Sequence, residues 1–412
     1  MFIAFLKPEA DLRINRYAGN CLIWKNKANI FLLLSTFIHI CSSCYFGSIK
    51  SYLMVAANEK DLIFLDRNEN QYGPSPECFK VLQNSNDDTL NIYSRDFSRG
   101  IKSLLSERLA YDYGTEEKKI LLGYGSEDIL KQVVQCYINK GEKIMIPSFS
   151  WWYYKKIVED VDGISIEYPI VEGEHTFYYD IEGMIKIYNE QKPKLVIISS
   201  PNNPTGNRLE TNQLNFVLEK MKDSIVVLDE AYLFFDVTFK TDPVGLVNRY
   251  PNLIILRTFS KYYALAGIRT GFAFLGDNLD RISLLGTRYL GFNRLSEKIA
   301  IAALNSPEYY NSISLKMAED MNMLYNELNQ WPGFTAYRSF ANFIMVKIPP
   351  EIKDSLKAYL TERNMIIKFM NEEELNRHLR ITIGTHPQNC FLLKLIKTFM
   401  CKEMNHELVQ GI

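Results

Sequence analysis

The strongest constraint on the fold is a set of short runs in which apolar residues follow one another without alternation. The runs are LVIIS at Leu195–Ser199, IVVL at 225–228, LIIL at 253–256 and a shorter one at 143–146. Continuous runs indicate strands buried on both faces, because a strand with one face in water alternates apolar and polar residues. Residues 101–109 and 129–137 instead show the three- and four-residue spacing of helices. The chain therefore predicts an α/β fold with a mostly parallel central sheet and flanking helices.

The pattern changes after about residue 290 to long helical stretches, with strand-like runs only at 342–347 and 379–383. This change predicts a second, smaller α+β domain. We expect an N-terminal arm at 54–90 that joins the small domain, a large domain at 91–288 and the small domain at 289–412.

The first 53 residues differ from the rest of the chain. Residues 30–46 form an apolar run, IFLLLSTFIHICSSCYF, preceded by Lys25 and Lys27. A membrane-spanning helix needs about 20 mostly apolar residues, and this run is at the lower edge of that range. We predict that residues 1–53 are an extension outside the catalytic fold. A membrane anchor and a secretion signal are the alternatives.

Charge and cysteine content exclude several functions. The 47 Lys and Arg residues against 48 Asp and Glu leave a net charge of −1, so no overall positive field favours a nucleic acid. Cys41 and Cys44 form a CxxC pair within the first 53 residues, but the seven cysteines provide no second pair and no evident ligand cluster with the five histidines. We therefore expect neither a metal site nor a disulfide framework, and a reducing, cytoplasmic location.

Polar segments follow the predicted strands at the edge where open α/β sheets bind ligands. They are GYGSED at 123–128, SSPNNPTG at 199–206, LDEAY at 228–232 and TFSKYYALAGIRTG at 258–271. Each segment alone is also typical of a helix cap, a turn or a solvated helix face. Their order and their common position at strand ends favour a single binding site.

Together these segments resemble the fold-type I aminotransferases that use pyridoxal phosphate, over about residues 65–398. Within that family the segments resemble those of the histidinol-phosphate aminotransferases. Further matching segments are LDRNENQYGPSP at 65–76, ANF at 341–343 and LRITIGT at 379–385. The resemblance implies pyridoxal 5'-phosphate as the cofactor and small amines and 2-oxo acids as substrates. It also implies a homodimer with shared active sites.

The resemblance assigns catalytic roles to residues of the matching segments. Lys261 is implied as the lysine that bonds the cofactor aldehyde and then moves a proton. Asp229 is implied as the carboxylate that keeps the ring nitrogen protonated, while Glu230 should point to the opposite side of an extended chain. Asn203 and Tyr232 are implied as donors to the phenolic oxygen, although a tyrosine here is also typical of a core.

The cofactor phosphate requires backbone donors at a helix start and a cation. By resemblance the residues are Ser126, Glu127, Thr258, Ser260 and Arg269. Glu127 contributes through its main-chain amide. Tyr93 matches the tyrosine that reaches the neighbouring subunit's phosphate site. Phe149 matches the aromatic residue above the cofactor ring, with Trp151 and Trp152 close behind it.

Substrate contacts are implied for Arg380, Lys368 and Asn342. Arg380 matches the arginine whose planar fork grips a carboxylate. Lys368 stands where the family has an arginine for the substrate phosphate, and this departure weakens the match to a phosphorylated substrate without excluding one. A Pro-Tyr arm that usually precedes the Asn68-Glu69-Asn70 segment is also missing.

The resulting functional prediction is ping-pong amino transfer between histidinol phosphate, or a related phosphorylated or polar amine, and 2-oxoglutarate. The alternatives are a decarboxylase similar to the threonine-phosphate decarboxylases, and an aminotransferase for aromatic amino acids or a specialised biosynthetic substrate. The pathway, histidine biosynthesis or a specialised route, stays open at this point.

Overall fold

The computed structural model describes residues 62–84, 91–94, 103–286 and 290–410. Nearly all of these belong to one unit, Ile63–Ile412. The apolar run at 30–46 and the whole extension at 1–53 lie outside the described residues. The boundaries predicted at residues 90 and 288 adjoin further residues outside that range, so the division into domains stays a prediction.

A seven-stranded sheet forms the centre of the unit, in the order β2-β10-β9-β8-β7-β3-β4. Its strands are β2 (Ile120–Gly123), β3 (Lys143–Pro147), β4 (Ile164–Tyr168), β7 (Leu195–Ser199), β8 (Ile225–Asp229), β9 (Leu253–Thr258) and β10 (Gly271–Leu275). Only β10 runs antiparallel to its neighbours. The three clearest apolar runs are thus adjacent central strands, which confirms the predicted α/β fold with a mostly parallel sheet.

Both faces of this sheet are packed, as the continuous runs require. Alternate residues of the central strands enter two separate hydrophobic clusters: Ile197 and Val227 enter one, and Val196, Val226 and Ile255 enter the other. Helices cover the sheet and connect its strands. They are α1 (Pro76–Gln83), α2 (Leu104–Tyr113), α3 (Ser126–Tyr137), α4 (Tyr153–Glu159), α5 (Ile181–Gln191), α6 (Thr211–Lys220), α7 (Pro243–Arg249) and α8 (Asp280–Gly286).

A second sheet has five strands in the order β1-β13-β14-β12-β11. The strands are β1 (Ile63–Leu65), β11 (Thr335–Ala336), β12 (Phe343–Lys347), β13 (Met365–Phe369) and β14 (His378–Thr382). The helices α9 (Arg294–Leu304), α10 (Pro307–Leu328), α11 (Lys353–Thr361) and α12 (His386–Gln410) belong to this half of the chain. A short hairpin of β5 (Ile170–Glu172) and β6 (Phe177–Tyr179) stands apart from both sheets.

The first strand of the chain belongs to the second sheet, although it is far from the others in sequence. Residues Ile63–Leu65 pair in parallel with residues 365–367 of β13. The segment after β1, residues 66–70, consequently passes beside both sheets. Among the described residues, no helix combines the length and apolar character needed to cross a bilayer.

Candidate active site

A cavity of about 540 Å³ opens where β7, β8 and β9 end. Strands β13 and β14 of the second sheet line its opposite side, through Lys368 and Arg380. The cavity collects most of the residues that the sequence singled out: Ser126, Glu127, Asn203, Asp229, Tyr232, Thr258, Ser260, Lys261, Arg269, Lys368 and Arg380. These residues come from six separate segments, so their convergence is a property of the fold.

Lys261 lies three residues beyond β9, in the loop that passes the cavity. Its Nζ donates to the main-chain oxygen of Arg67 at 3.0 Å and lies 5.7 Å from the centroid of the Tyr232 ring. No carboxylate of the described residues forms an ion pair with it. A single neutral acceptor holds this amine, so it can be released for chemistry in the cavity.

Asp229 is the last residue of β8 and is 6 % exposed. One carboxylate oxygen accepts from the hydroxyl of Tyr154 at 2.8 Å, and the other accepts from the Ala231 amide at 3.0 Å. Burial raises the pKa of Asp229, and these two hydrogen bonds oppose the rise. No Lys or Arg side chain in the described ranges pairs with it, so the carboxylate can be compensated by a cationic ligand group.

Glu230 points away from the cavity, as predicted for the next residue of an extended chain. It forms an ion pair with Arg257 at 2.8 Å, and both side chains are almost fully buried. Arg257 also donates to Tyr113 and Thr241 at 2.8 Å each. This carboxylate is thus compensated by the chain itself and is not available to a ligand.

Tyr232 and Asn342 belong to one chain of hydrogen bonds. The Asn68 amide donates to the Tyr232 hydroxyl at 3.0 Å, and the Asn342 amide donates to the Asn68 main-chain oxygen at 3.0 Å. Tyr232 accepts in this bond, so its own hydroxyl hydrogen can point to a ligand oxygen. Asn342 is 1 % exposed and does not line the cavity, so its contribution is to hold Asn68.

An anion cradle forms at the start of α3. Gly125 precedes the helix with φ of +86°, and no side chain caps the first turn. A Cβ at Gly125 would lie 2.7 Å from Arg269 Nη2, and one at Gly271 would lie 2.4 Å from the Ser126 amide nitrogen. Both positions therefore require glycine. The uncapped amides and the guanidinium together provide the donors that a phosphate needs.

Hydroxyls complete this cradle. Arg269 has a left-handed backbone, φ of +54°, and its Nη1 lies 3.4 Å from the Ser260 hydroxyl oxygen. The Ser260 amide donates to the Thr258 hydroxyl at 3.1 Å. Glu127 contacts Arg269 at 3.4 Å, with both side chains nearly half exposed. A non-glycine residue with positive φ is unfavourable in isolation and is found preferentially at binding sites.

The opposite side of the cavity carries two cations. Lys368 of β13 and Arg380 of β14 are direct partners in the strand register. Arg380 donates to Asn203 Oδ1, and it also donates to the main-chain oxygen of Asp66 at 2.6 Å. Its Nε is buried without a partner among the described residues. Burial lowers the pKa of Arg380. Two neighbouring cations on one wall of the cavity favour an anionic ligand, although the carboxylates of Asp66 and Glu372 line the same cavity.

A family model described as aminotransferase class I and II matches residues 60–394. The chain belongs to the aminotransferase class I and II family. It is a pyridoxal-phosphate-dependent transaminase, as the resemblance implied. The histidinol-phosphate aminotransferase of Ruminiclostridium cellulolyticum is 32% identical over 351 residues, which cover 84% of this chain and 95% of that protein. A chloroplastic histidinol-phosphate aminotransferase of Arabidopsis thaliana is 29% identical, over 82% and 79% of the two chains.

Solved structures share the fold of this aminotransferase. The histidinol-phosphate aminotransferase of Sinorhizobium meliloti, a complex with pyridoxal-5'-phosphate, has a TM-score of 0.73 at 22% identity and covers 84% of this chain and 94% of its own. The L-threonine-O-3-phosphate decarboxylase of Porphyromonas gingivalis has a TM-score of 0.68 at 22% identity, over 82% and 99% of the two chains. Because two different activities occur on this fold, the fold alone does not select the substrate.

The cavity of the aminotransferase fits this cofactor in three respects. The cradle at Gly125 and Arg269 offers amide and guanidinium donors of the kind a phosphate group needs. The buried Asp229 lacks a cation in the described part of the chain, and a protonated ring nitrogen would supply one. The amine of Lys261 faces the same cavity and is suited to bond an aldehyde.

Two predicted cofactor residues are not in the cavity wall. The Phe149 ring packs edge-on against Phe177 with centroids 6.1 Å apart, and its main-chain oxygen accepts from Asn202 at 2.7 Å. Tyr93 is 64 % exposed and contacts Arg294 through its main-chain oxygen. The structure does not bring either ring to the cavity wall, and the expected roles of Phe149 and Tyr93 stay predictions.

The structure brings to the site residues to which the sequence assigned no role, Asn68 and Tyr154, together with Trp151 and Trp152, which the sequence indicated only as neighbours of Phe149. Trp151 and Trp152 line the cavity, and Trp152 is 66 % exposed, so its ring is open to a ligand. Tyr154 binds Asp229, and Asn68 binds Tyr232. The adjacent aromatic residues were the only signal for the tryptophans, whereas the contacts of Tyr154 and Asn68 link residues far apart in sequence.

Proposed function

We propose that this transaminase moves an amino group between a phosphorylated amine, with histidinol phosphate as the first candidate, and 2-oxoglutarate. The observation that carries the proposal is the register pairing of Lys368 with Arg380 on the cavity wall. Both substrates bear anionic groups remote from the reacting carbon, and two adjacent cations suit them. The names of the curated relatives support the same substrate, and with it a role in histidine biosynthesis.

When bound, pyridoxal phosphate supplies an aldehyde that takes up amino groups and a ring that draws electrons from the substrate carbon. In our proposal Lys261 Nζ carries the proton between the substrate carbon and its acceptor, since this amine lines the cavity and lies 5.7 Å from the centroid of the Tyr232 ring. Asp229 keeps its negative charge beside the ring nitrogen through the bonds from Tyr154 and Ala231. Tyr232 and Asn203 donate to the phenolic oxygen.

The remaining cofactor contacts follow from the cradle. Ser126, Glu127 through its amide, Thr258, Ser260 and Arg269 hold the phosphate in our proposal. Trp152 is a further candidate beside Phe149 for the aromatic platform of the ring, because it is exposed at the cavity.

Arg380 is the proposed clamp for the substrate carboxylate or phosphate, and Asn203 orients its guanidinium. Because Arg is a donor only, its bond fixes Asn203 Oδ1 as the acceptor and leaves the Asn203 NH₂ group to donate. Lys368 supplies a second positive charge without the fixed geometry of an arginine fork. Asn342 acts through Asn68, which it holds in position for Tyr232.

Both substrates use the same cavity in turn, so a ping-pong order is proposed: the first oxo product leaves before the second oxo acid enters.

We also propose a cytoplasmic homodimer in which the exposed Tyr93 serves the partner's phosphate site. Mixing Tyr93→Ala and Lys261→Ala chains tests this arrangement. Shared sites predict that mixed dimers regain activity, because one of the two sites is then intact, whereas independent sites predict none.

A substrate panel tests the proposed function. Histidinol phosphate, phenylalanine and threonine phosphate are each supplied with 2-oxoglutarate, and glutamate and carbon dioxide are measured. We expect histidinol phosphate to give glutamate at the highest kcat/KM and no carbon dioxide. A Lys368→Gln variant should lose about tenfold in kcat/KM for the phosphorylated amine, and Lys368→Arg should retain it.

Two outcomes of that panel contradict the proposal. Release of carbon dioxide from threonine phosphate without glutamate would identify a decarboxylase of the kind solved from Porphyromonas gingivalis. Preference for phenylalanine, unaffected by Lys368→Gln, would show that the cation pair does not select the substrate.

A further inference from the structure

A group of three side chains outside the cavity links a thiol to a base and a carboxylate. It consists of Asp320 on α10 and of His386 and Cys390 on α12. Asp320 Oδ1 lies 2.6 Å from His386 Nδ1, and His386 Nε2 lies 3.4 Å from Cys390 Sγ. His386 and Cys390 are four residues apart, so they share one face of the helix. A nucleophile, a base and an orienting acid in series form the arrangement that activates a nucleophile.

Asp320, the acid of this group, is held in place by further contacts. Asp320 is 3 % exposed, and its second oxygen accepts from the Asn389 side chain at 2.9 Å. Asn389 is itself held by both main-chain groups of Gly384. A carboxylate only accepts, so the neutral His386 ring donates through Nδ1 and presents the lone pair of Nε2 to the thiol.

The thiol and the histidine of this group are exposed to solvent. The side chain of His386 is 65 % exposed, and Cys390 is an exposed free cysteine. Metal binding explains this arrangement poorly, because the three groups lie in series and each ring nitrogen of His386 already has a partner within the group. In the described ranges, no group of three such side chains could hold a metal ion.

We propose that Cys390 is a nucleophilic thiol that takes small electrophiles, with low-molecular-weight disulfides as the natural class. In the reaction His386 Nε2 receives the thiol proton, and the sulfur attacks one sulfur of the disulfide. The disulfide bond of the reagent breaks, and a mixed disulfide forms on Cys390. The leaving thiolate takes up the proton as a free thiol. One disulfide bond breaks and one forms, so the Cys390 sulfur gives up the formal reducing equivalent that the leaving sulfur gains, and no further oxidant is needed.

The same helix provides a matched control. Cys401 is also an exposed free cysteine on α12, but it has no side-chain partner among the described residues. The full-length protein is treated with limiting iodoacetamide, and the labelling rate of each cysteine is measured by peptide mass spectrometry. A second sample receives glutathione disulfide. The variants are His386→Gln and Asp320→Asn, with His386→Gln the safer one because its side chain is largely exposed.

We expect Cys390 to be alkylated roughly tenfold faster than Cys401 at neutral pH, and His386→Gln to bring its rate to that of Cys401. Glutathione disulfide should add one glutathione to Cys390, and dithiothreitol should remove it. Equal rates at the two cysteines in the unmodified chain, or an unchanged Cys390 rate in a folded His386→Gln protein, would overturn the proposal. Neither result depends on transaminase activity.

Discussion

Asp229 and Glu230 are consecutive carboxylates at the end of one strand, yet they face opposite sides of the large sheet. On the packed side, Glu230 and Arg257 neutralise each other, and Tyr113 and Thr241 accept two further hydrogen bonds from the guanidinium. On the cavity side, Asp229 has only neutral donors, although it is equally buried.

The cavity keeps its opposite charges apart. Asp229 lies at one wall, while Arg380 at another has a buried Nε without a partner and Lys368 beside it. Leaving a buried charge uncompensated is unfavourable unless a ligand supplies the partner. The packed side therefore carries its own counter-charge, whereas on the cavity side we propose that cofactor and substrate supply it.

The largest effect is expected for Asp229→Asn. Without the negative charge, nothing favours the protonated ring nitrogen, and we expect kcat/KM to fall about 10³-fold. The cofactor-free protein should nevertheless unfold at a slightly higher temperature near neutral pH, because burial raises the pKa of Asp229 and the ionised form is therefore disfavoured in the folded chain. The gain should vanish in acid, where the carboxyl is protonated in both states. A lower unfolding temperature of the cofactor-free variant would show that Asp229 is compensated already.

Glu230→Gln removes the neighbouring carboxylate, on the packed side of the sheet, and is the matched comparison for Asp229→Asn. It leaves Arg257 buried without a counter-charge, which should destabilise the fold by about 3 kcal/mol. The fraction that folds should keep its activity per bound cofactor. Urea unfolding and active-site titration measure the two quantities. Loss of activity in fully folded protein would mean that the two sides of the sheet are not separate in function.

Arg380→Lys tests the second charge of the cavity. The lysine keeps the charge but loses the two parallel donors, so KM for the carboxylate substrate should rise roughly 10- to 100-fold with a smaller change in kcat. Arg363→Lys is the control, since Arg363 stacks on Tyr359 outside the cavity and should leave KM unchanged. Equal effects of the two variants would contradict the proposed clamp.

Tyr154→Phe should have the smallest effect. Because the lost hydrogen bond opposes the rise in the pKa of Asp229, that pKa should move further up in the variant. Cofactor affinity should fall about tenfold. When the solution is acidified from about pH 8 to pH 5, the variant should lose its cofactor at a higher pH than the unmodified enzyme does. Fluorescence titration with the cofactor measures both. Identical pH profiles would assign Tyr154 a packing role only.

The sequence predicted the parts of this molecule that depend on continuous patterns. The central strands at 195–199, 225–229 and 253–258 are fully or almost fully buried, so their composition alone identifies them. Residues directly after these strands were predicted to meet, and Asp229, Lys261 and Asn203 do line one cavity.

Other parts of the fold and of the site could not be predicted from continuous patterns in the sequence. Strand β13 alternates buried and half-buried residues and is only five residues long, so its pairing with β1 depends on tertiary contacts. Phe149 and Trp152 are three residues apart in an aromatic segment, and only backbone geometry decides which ring faces the cavity. The bond between Asn68 and Tyr232 spans 164 residues and leaves no local pattern.

The most direct test of the account is reduction of the cofactor-loaded protein with borohydride, followed by peptide mapping. Among the residues that the structure describes, two lysines line the cavity, Lys261 and Lys368, and they compete for the same cofactor aldehyde. The account predicts a yellow protein whose cofactor becomes covalently fixed on Lys261 alone, and no fixation in Lys261→Ala. An adduct on Lys368, or a protein that takes up no cofactor, would contradict it.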